Sequence, residues 1–142
     1  MNPKYVLLVV LFALGIGTGA FAAEPVITET DVEWSPACGG SNIKVTRVDD
    51  KIVAVVAWIE GYSEGREWHC HYVAGRVSSV LYKHFKVIHK GIEGDGPVTR
   101  EFQYDRVIVF PIKDHKLDNI PKELRDDLME VLAKAQKSKP QE

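Results

Sequence analysis

An unbroken apolar run near the middle of the chain, residues 52–59, constrains the fold more than any other feature. Side chains on a strand alternate between two faces, and here both faces are apolar. One face carries Ile52, Ala54, Val56 and Trp58, and the other carries Val53, Val55, Ala57 and Ile59. A strand of this kind is typical of the interior of a sheet that has a layer on each side. We therefore expect residues 52–59 to form a central strand that is covered above and below.

Further strands are predicted on either side of this central one. Residues 43–47 alternate apolar and polar side chains, as a half-buried strand does, and residues 68–73 and 101–112 are also rich in strand formers. The polar segments 61–67 and 91–97 contain glycine and are predicted to be loops. Most neighbouring strands would then be joined by short connections, which favours an antiparallel sheet.

The segment from residue 76 to residue 90 allows two interpretations. Its apolar residues follow one helical stripe, at positions 77, 80, 81, 85 and 88, and Gly91 would end such a helix. Its β-branched and aromatic content favours a strand instead. We expect a helix here and keep the strand as the open alternative.

The last element is a helix near the C-terminus. Pro121 stands near its start, acidic residues occupy its early turns, and lysines lie near its end. Its apolar stripe comprises Leu124, Leu128, Val131, Leu132 and Ala135. The fold class predicted for the chain is therefore α+β, a mostly antiparallel sheet of four or five strands with one or two packed helices.

The N-terminal residues predict export. Lys4 precedes an apolar run, which ends in the small-residue pattern Ala20-Phe21-Ala22. This layout is typical of a secretory signal peptide at residues 1–22, although an uncleaved membrane anchor is the alternative. Residues 23–142 would then form one small exported α+β domain, either periplasmic or secreted. The formal net charge of −2 and the lack of a basic block argue against a nucleic-acid partner. No second apolar stretch is long enough to span a membrane after cleavage.

The predicted export also affects whether the cysteines form a disulfide. Cys38 and Cys70 are the two cysteines of the chain. In an oxidising compartment they are expected to form a disulfide, since one pair allows one intramolecular bridge. The alternative of a redox or metal-bound thiol lacks a C-x-x-C motif.

A run of aromatic, histidine and cysteine residues at positions 68–72 suggests a metal site. On a strand, His69 and His71 share one face, while Trp68, Cys70 and Tyr72 share the other. Two imidazoles at this spacing suit zinc or copper, although a tight site needs a third ligand. The alternative is a pair of polar side chains on a solvated face.

Two other features suggest function. Residues 61–65 match G-x-S-x-G, the nucleophile elbow of hydrolases, with Ser63 as the nucleophile. An elbow needs a helix after the serine, however, and a strand is predicted there. Trp34 and Tyr62 lie beside turns and are the best candidates for exposed partner-binding aromatics, while half-buried packing of each ring is the favoured alternative.

The leading hypothesis is a non-enzymatic binding or protein-interaction module whose partner is an envelope or extracellular protein. It rests on the export signal and on the lack of a complete catalytic set. The first alternative is a metal-binding protein that uses His69 and His71, and the second is a small hydrolase that uses Ser63.

Overall fold

The fold is an antiparallel sheet with one helix packed against it, seen in a computed structural model that describes residues 23–31, 34, 40–91 and 98–138. Residues 1–22 lie outside the described residues, so the signal peptide stays a prediction. Six strands are followed by the helix α1 (Lys122–Lys137). The strands are β1 (Val26–Asp31), β2 (Asn42–Val48), β3 (Lys51–Glu60), β4 (Glu64–Val73), β5 (Arg76–Lys90) and β6 (Thr99–Pro111).

The strands follow one another across the sheet in chain order, β1-β2-β3-β4-β5-β6, and every neighbouring pair is antiparallel. β3, which contains the two-faced apolar run, therefore lies inside the sheet, as predicted. The α+β class is also supported, but the predicted number of strands was too low, because the sheet has six.

Helix α1 covers one face of the sheet. Its Leu128, Val131 and Ala135 are fully buried, as the apolar stripe predicted. They belong to one core with the strand residues that point toward the helix, among them Val45, Val55, Ala57, Trp68, Val80 and Phe110. No helix in the described residues is long and apolar enough to cross a membrane.

The prediction of a helix at residues 76–90 is wrong, because this segment is the 15-residue strand β5. It pairs with β4 on one side and with β6 on the other. The three-residue spacing of Val77 and Val80, which resembles that of a helix, is caused by a β-bulge. Tyr72 pairs with Val77 and His71 with Ser79, so Ser78 is an extra residue in β5. Val77 and Val80 both pack on the core for this reason, although they are three positions apart.

The tight turn between β4 and β5 contains a strained residue. Ala74 has φ +50° and Gly75 has φ +76°, the left-handed pair that a two-residue hairpin turn requires. A Cβ in this region costs about 1–2 kcal/mol, and asparagine tolerates it better than alanine. We expect Ala74→Asn to raise the free energy of unfolding by about 1 kcal/mol in urea titration. Gly75→Ala, which adds a Cβ at the next left-handed position, is expected to lower it by a similar amount. A decrease for Ala74→Asn would contradict this account of the turn.

Candidate functional site on the open face of the sheet

The sheet face opposite α1 has no second layer among the described residues. The expectation that the central strand is covered on both sides is therefore wrong for this face. Ala54, Val56 and Trp58 of β3 point to it and are only half-buried, whereas Val55, Ala57 and Ile59 on the helix side are buried. We call this surface the open face. It includes Trp58, Glu67, Leu81, Phe85, Tyr104 and Val109, which the strand register places on one side of the sheet.

Four aromatic side chains form a cluster at one end of the open face: Trp58, Phe85, Phe102 and Tyr104. The rings of Trp58 and Phe85 stack with centroids 4.5 Å apart. Phe102 meets both rings edge-on, at 5.0 Å and 5.3 Å, and Tyr104 meets Phe85 edge-on at 5.7 Å. These geometries are favourable for aromatic pairs. The cluster explains why Phe85 is fully buried although no helix covers it.

Glu67 lies beside this cluster, and its carboxylate is well satisfied. Tyr104 Oη donates a hydrogen bond to Oε2 at 2.9 Å, and Lys83 Nζ lies 3.5 Å from the same oxygen. His69 Nε2 is 3.8 Å away. Burial by itself would raise the pKa of Glu67, but the His69 and Tyr104 side chains and the Lys83 charge outweigh it and lower the pKa below 4.5. Glu67 is therefore ionised near neutral pH.

A second carboxylate on this face is also paired within the molecule. Glu60 is 4% exposed, accepts a hydrogen bond from Trp58 Nε1 at 3.1 Å, and forms an ion pair with Arg100. Burying a charge is costly unless it is paired and hydrogen-bonded, and Glu60 meets both conditions. The two carboxylates are therefore both tied to the aromatic cluster, Glu60 through Trp58 and Glu67 through Tyr104.

The Glu67 network predicts a specific pH dependence. A folded pKa below the unfolded value means that the carboxylate stabilises the fold above about pH 4.5, and that this contribution is lost as pH falls through the folded pKa. We expect Glu67→Gln to cost about 1–3 kcal/mol near neutral pH, the usual worth of hydrogen bonds to a charged group. The difference from the unmodified chain should shrink in acid, as measured by urea unfolding at a series of pH values. A pH-independent difference would contradict this role.

The part of the open face that lies on β6 has apolar and exposed side chains. Val107 is 59% exposed, Val109 is 67% exposed and Tyr104 is 45% exposed. All three lie on β6, at the edge of the sheet. The Glu60 and Glu67 carboxylates of the face are paired internally, whereas none of the described residues buries its apolar edge.

The structure places His69 and His71 on one face, as predicted, but their ring nitrogens have different neighbours. His69 Nε2 is buried without a hydrogen-bond partner, next to Glu67, whereas His71 Nδ1 lies 3.2 Å from Ser78 Oγ. No group of three metal-ligating side chains occurs among the described residues. Zinc or copper binding by this pair stays a prediction.

The predicted disulfide involves a residue outside the described part of the chain, Cys38. Its partner Cys70 points into the core beside Trp68 and Tyr72, is 3% exposed, and has its pKa raised to about 12 by burial. A thiol reacts as the thiolate. In a Cys38→Ser variant we therefore expect iodoacetamide to leave Cys70 unmodified in the native protein and to alkylate it in urea. Rapid native alkylation would show that Cys70 is accessible.

The two predicted partner-binding aromatics differ in position. Trp34 is 7% exposed and lies within the core, so its candidate role as an exposed partner-binding aromatic is wrong. The Arg66 guanidinium and the Lys134 ammonium lie over its ring, at 5.7 Å and 5.2 Å from the centroid. Tyr62 is 72% exposed and stacks on His89 with centroids 4.7 Å apart. Tyr62 is therefore exposed and not half-buried, and its role in partner binding stays a prediction.

Ser63 lies in the turn between β3 and β4, and the strand β4 follows it where an elbow would need a helix. The glycines of the motif have structural roles instead. A Cβ on Gly61 would lie 2.9 Å from Glu64 O, inside the turn, and Gly65 lies under the ring of Phe85. The G-x-S-x-G motif therefore lacks the strand–turn–helix geometry of a nucleophile elbow, on which the hydrolase hypothesis rests.

Comparison with known proteins assigns the chain to no family. No protein family, curated protein or solved structure matches the chain.

Proposed function

We propose that the chain acts, after export, as a protein-interaction module whose contact surface is the open face together with the β6 edge. The observation that carries this proposal is the exposed apolar set Tyr104, Val107 and Val109 beside an internally paired network of charges. Exposed apolar side chains that lie together and are rimmed by polar groups are typical of interaction sites. An envelope or extracellular protein is the partner class that fits the predicted export.

The character of the surface favours a protein partner over a small polar ligand. Polar ligand sites present unpaired groups that converge on the ligand. Here Glu60 and Glu67 already accept hydrogen bonds from Trp58 and Tyr104. The exposed side chains Tyr104, Val107 and Val109 beside them are apolar or aromatic, and they lie on a strand, which holds them rigidly.

Native mass spectrometry of the chain isolated from the envelope of its own cells tests the proposal. We expect a complex for the unmodified chain and its loss in Val107→Lys/Val109→Lys. Met129→Lys serves as the control, because Met129 is also exposed, at 52%, but lies on α1. A complex that survives both valine substitutions, or that is lost equally in the control, would contradict the proposal.

The same spectra test the metal alternative. Bound zinc or copper would add its mass to the chain, and that mass should disappear in His69→Ala/His71→Ala. A metal that stays bound in the double variant would exclude these histidines as its ligands.

A further inference from the structure

The edge strand β6 is long and unusually apolar for an edge. It runs over 13 residues and, in the described sheet, pairs only with β5. A free edge presents unpaired backbone groups and can accept another strand. Val107 and Val109 are exposed along it.

A β-bulge divides β6 into two halves. His84 pairs with Arg106 and Phe85 with Tyr104, so Asp105 is an extra residue in β6. The alternation of faces reverses at this residue. Phe102 and Tyr104 before the bulge therefore share the open face with Val107 and Val109 after it, because their β5 partners lie on that face.

We propose that β6 pairs in antiparallel fashion with β6 of a second copy of this chain, about a two-fold axis between Asp105 and Arg106. Tyr104 then lies opposite Val107 of the second copy, and Phe102 lies opposite its Val109. This inference rests on the proposed function, since it names the partner that covers the exposed valines. A continuous sheet joins the two copies.

The bulge makes a second copy the best match for this edge. An extra residue in one strand disrupts pairing with a regular strand. Two copies carry the bulge at the same position, so the two-fold axis relates the bulges and each extra residue, Asp105, lies opposite Arg106 of the second copy. In this register the two side chains of every opposing pair point to the same face of the joined sheet. A shift of the register by one residue would place open-face side chains opposite side chains of the helix side.

The charges of the strand agree with this register. Asp105 lies opposite Arg106 of the second copy, and Arg106 lies opposite its Asp105, so that the pairs at the axis have opposite charge. Opposite charges across a strand pair stabilise it, and like charges destabilise it. Tyr104 contributes an aromatic ring opposite a β-branched valine, another favourable combination.

Disulfide trapping tests both the dimer and its register. In a Cys38→Ser background, one chain carries Tyr104→Cys and another carries Val107→Cys. Opposing Cβ atoms lie about 5 Å apart, close to the separation in a disulfide. We expect the mixture to form a covalent dimer on oxidation, and neither chain alone to do so, because identical positions lie about 10 Å apart along the strands. Met129→Cys mixed with Tyr104→Cys is the control.

Light scattering of the unmodified chain at high concentration gives the second readout, and it does not depend on any substitution. A dimer that cross-links through the 104–107 pair supports the inference. A monomer, or a dimer trapped instead between Val107→Cys and Val109→Cys, overturns it. A monomer that still binds another envelope protein through the open face would overturn the dimer and leave the proposed function standing. A monomer without any such complex would overturn both.

Discussion

Replacing Asp127 by alanine is expected to lower the free energy of unfolding by about 3 kcal/mol, the lower end of the cost of breaking a buried ion pair, because the Asp127 and Arg66 side chains are 17% and 28% exposed. Asp127 of α1 accepts hydrogen bonds from Arg66 Nε at 2.6 Å and from Trp68 Nε1 at 2.6 Å. Its other oxygen faces Arg66 Nη2 at 2.5 Å. Alanine would leave the Arg66 guanidinium and the indole N–H of the fully buried Trp68 without their acceptor. Urea unfolding followed by circular dichroism measures the loss.

The neighbouring residue provides a matched control. Asp126 lies on the same helix, but its side chain is 63% exposed and it pairs with Lys122 one turn away. Exposed pairs of this kind contribute about 0.3–0.5 kcal/mol. Asp126→Ala is therefore expected to be nearly neutral. Equal losses for the two substitutions would show that Asp127 does not link α1 to the sheet.

Gly65→Ala is expected to cost about 3 kcal/mol, the upper end of the range for overpacking a well-filled site. A Cβ at this position would lie 2.6 Å from Ile59 O and 2.6 Å from Phe85 Cε2. The carbonyl belongs to β3, so relief would require β3 and β4 to separate, and the ring is held by Trp58 and Phe102. The substitution should therefore disturb the whole aromatic cluster.

Two further variants separate this clash from a general effect of alanine. Gly40→Ala meets no atom of the described residues within 4 Å and is expected to leave stability unchanged. Phe85→Leu removes the ring that Gly65→Ala would strike, so the double variant should be more stable than the sum of the single losses predicts. Strict additivity in thermal and urea unfolding would contradict the proposed contact between Gly65 and Phe85.

Much of the sheet was predictable from local patterns. The two-faced run correctly indicated that β3 lies inside the sheet, although among the described residues a second layer covers only its helix side. The apolar stripe likewise located α1. The contact between helix and sheet could also have been predicted from this stripe. Asp127 lies three residues after Leu124 and four before Val131, so it is on the buried side of the helix. A charged residue at such a position needs a partner in the core, and its partners Arg66 and Trp68 are distant in sequence.

The errors have identifiable causes. The bulge at Ser78 places Val77 and Val80 on the helix side of β5, and the apolar Leu81 and Phe85 of the open face complete a spacing that resembles one helical stripe. Trp34 lies next to a turn in sequence, but the α1 side of the sheet buries it. The open face was missed because its carboxylates and rings come from four strands, and their contacts depend on a register that no single segment encodes.

Photo-cross-linking in living cells tests whether the open face and the β6 edge contact another protein. A benzophenone amino acid would replace Val109 on the open face or, in the control chain, Met129 on α1. The account predicts covalent adducts to protein from position 109 and none from position 129, both residues being exposed. Adducts from position 129 alone, or from neither position, would contradict the assignment of the open face and the β6 edge as the interaction surface.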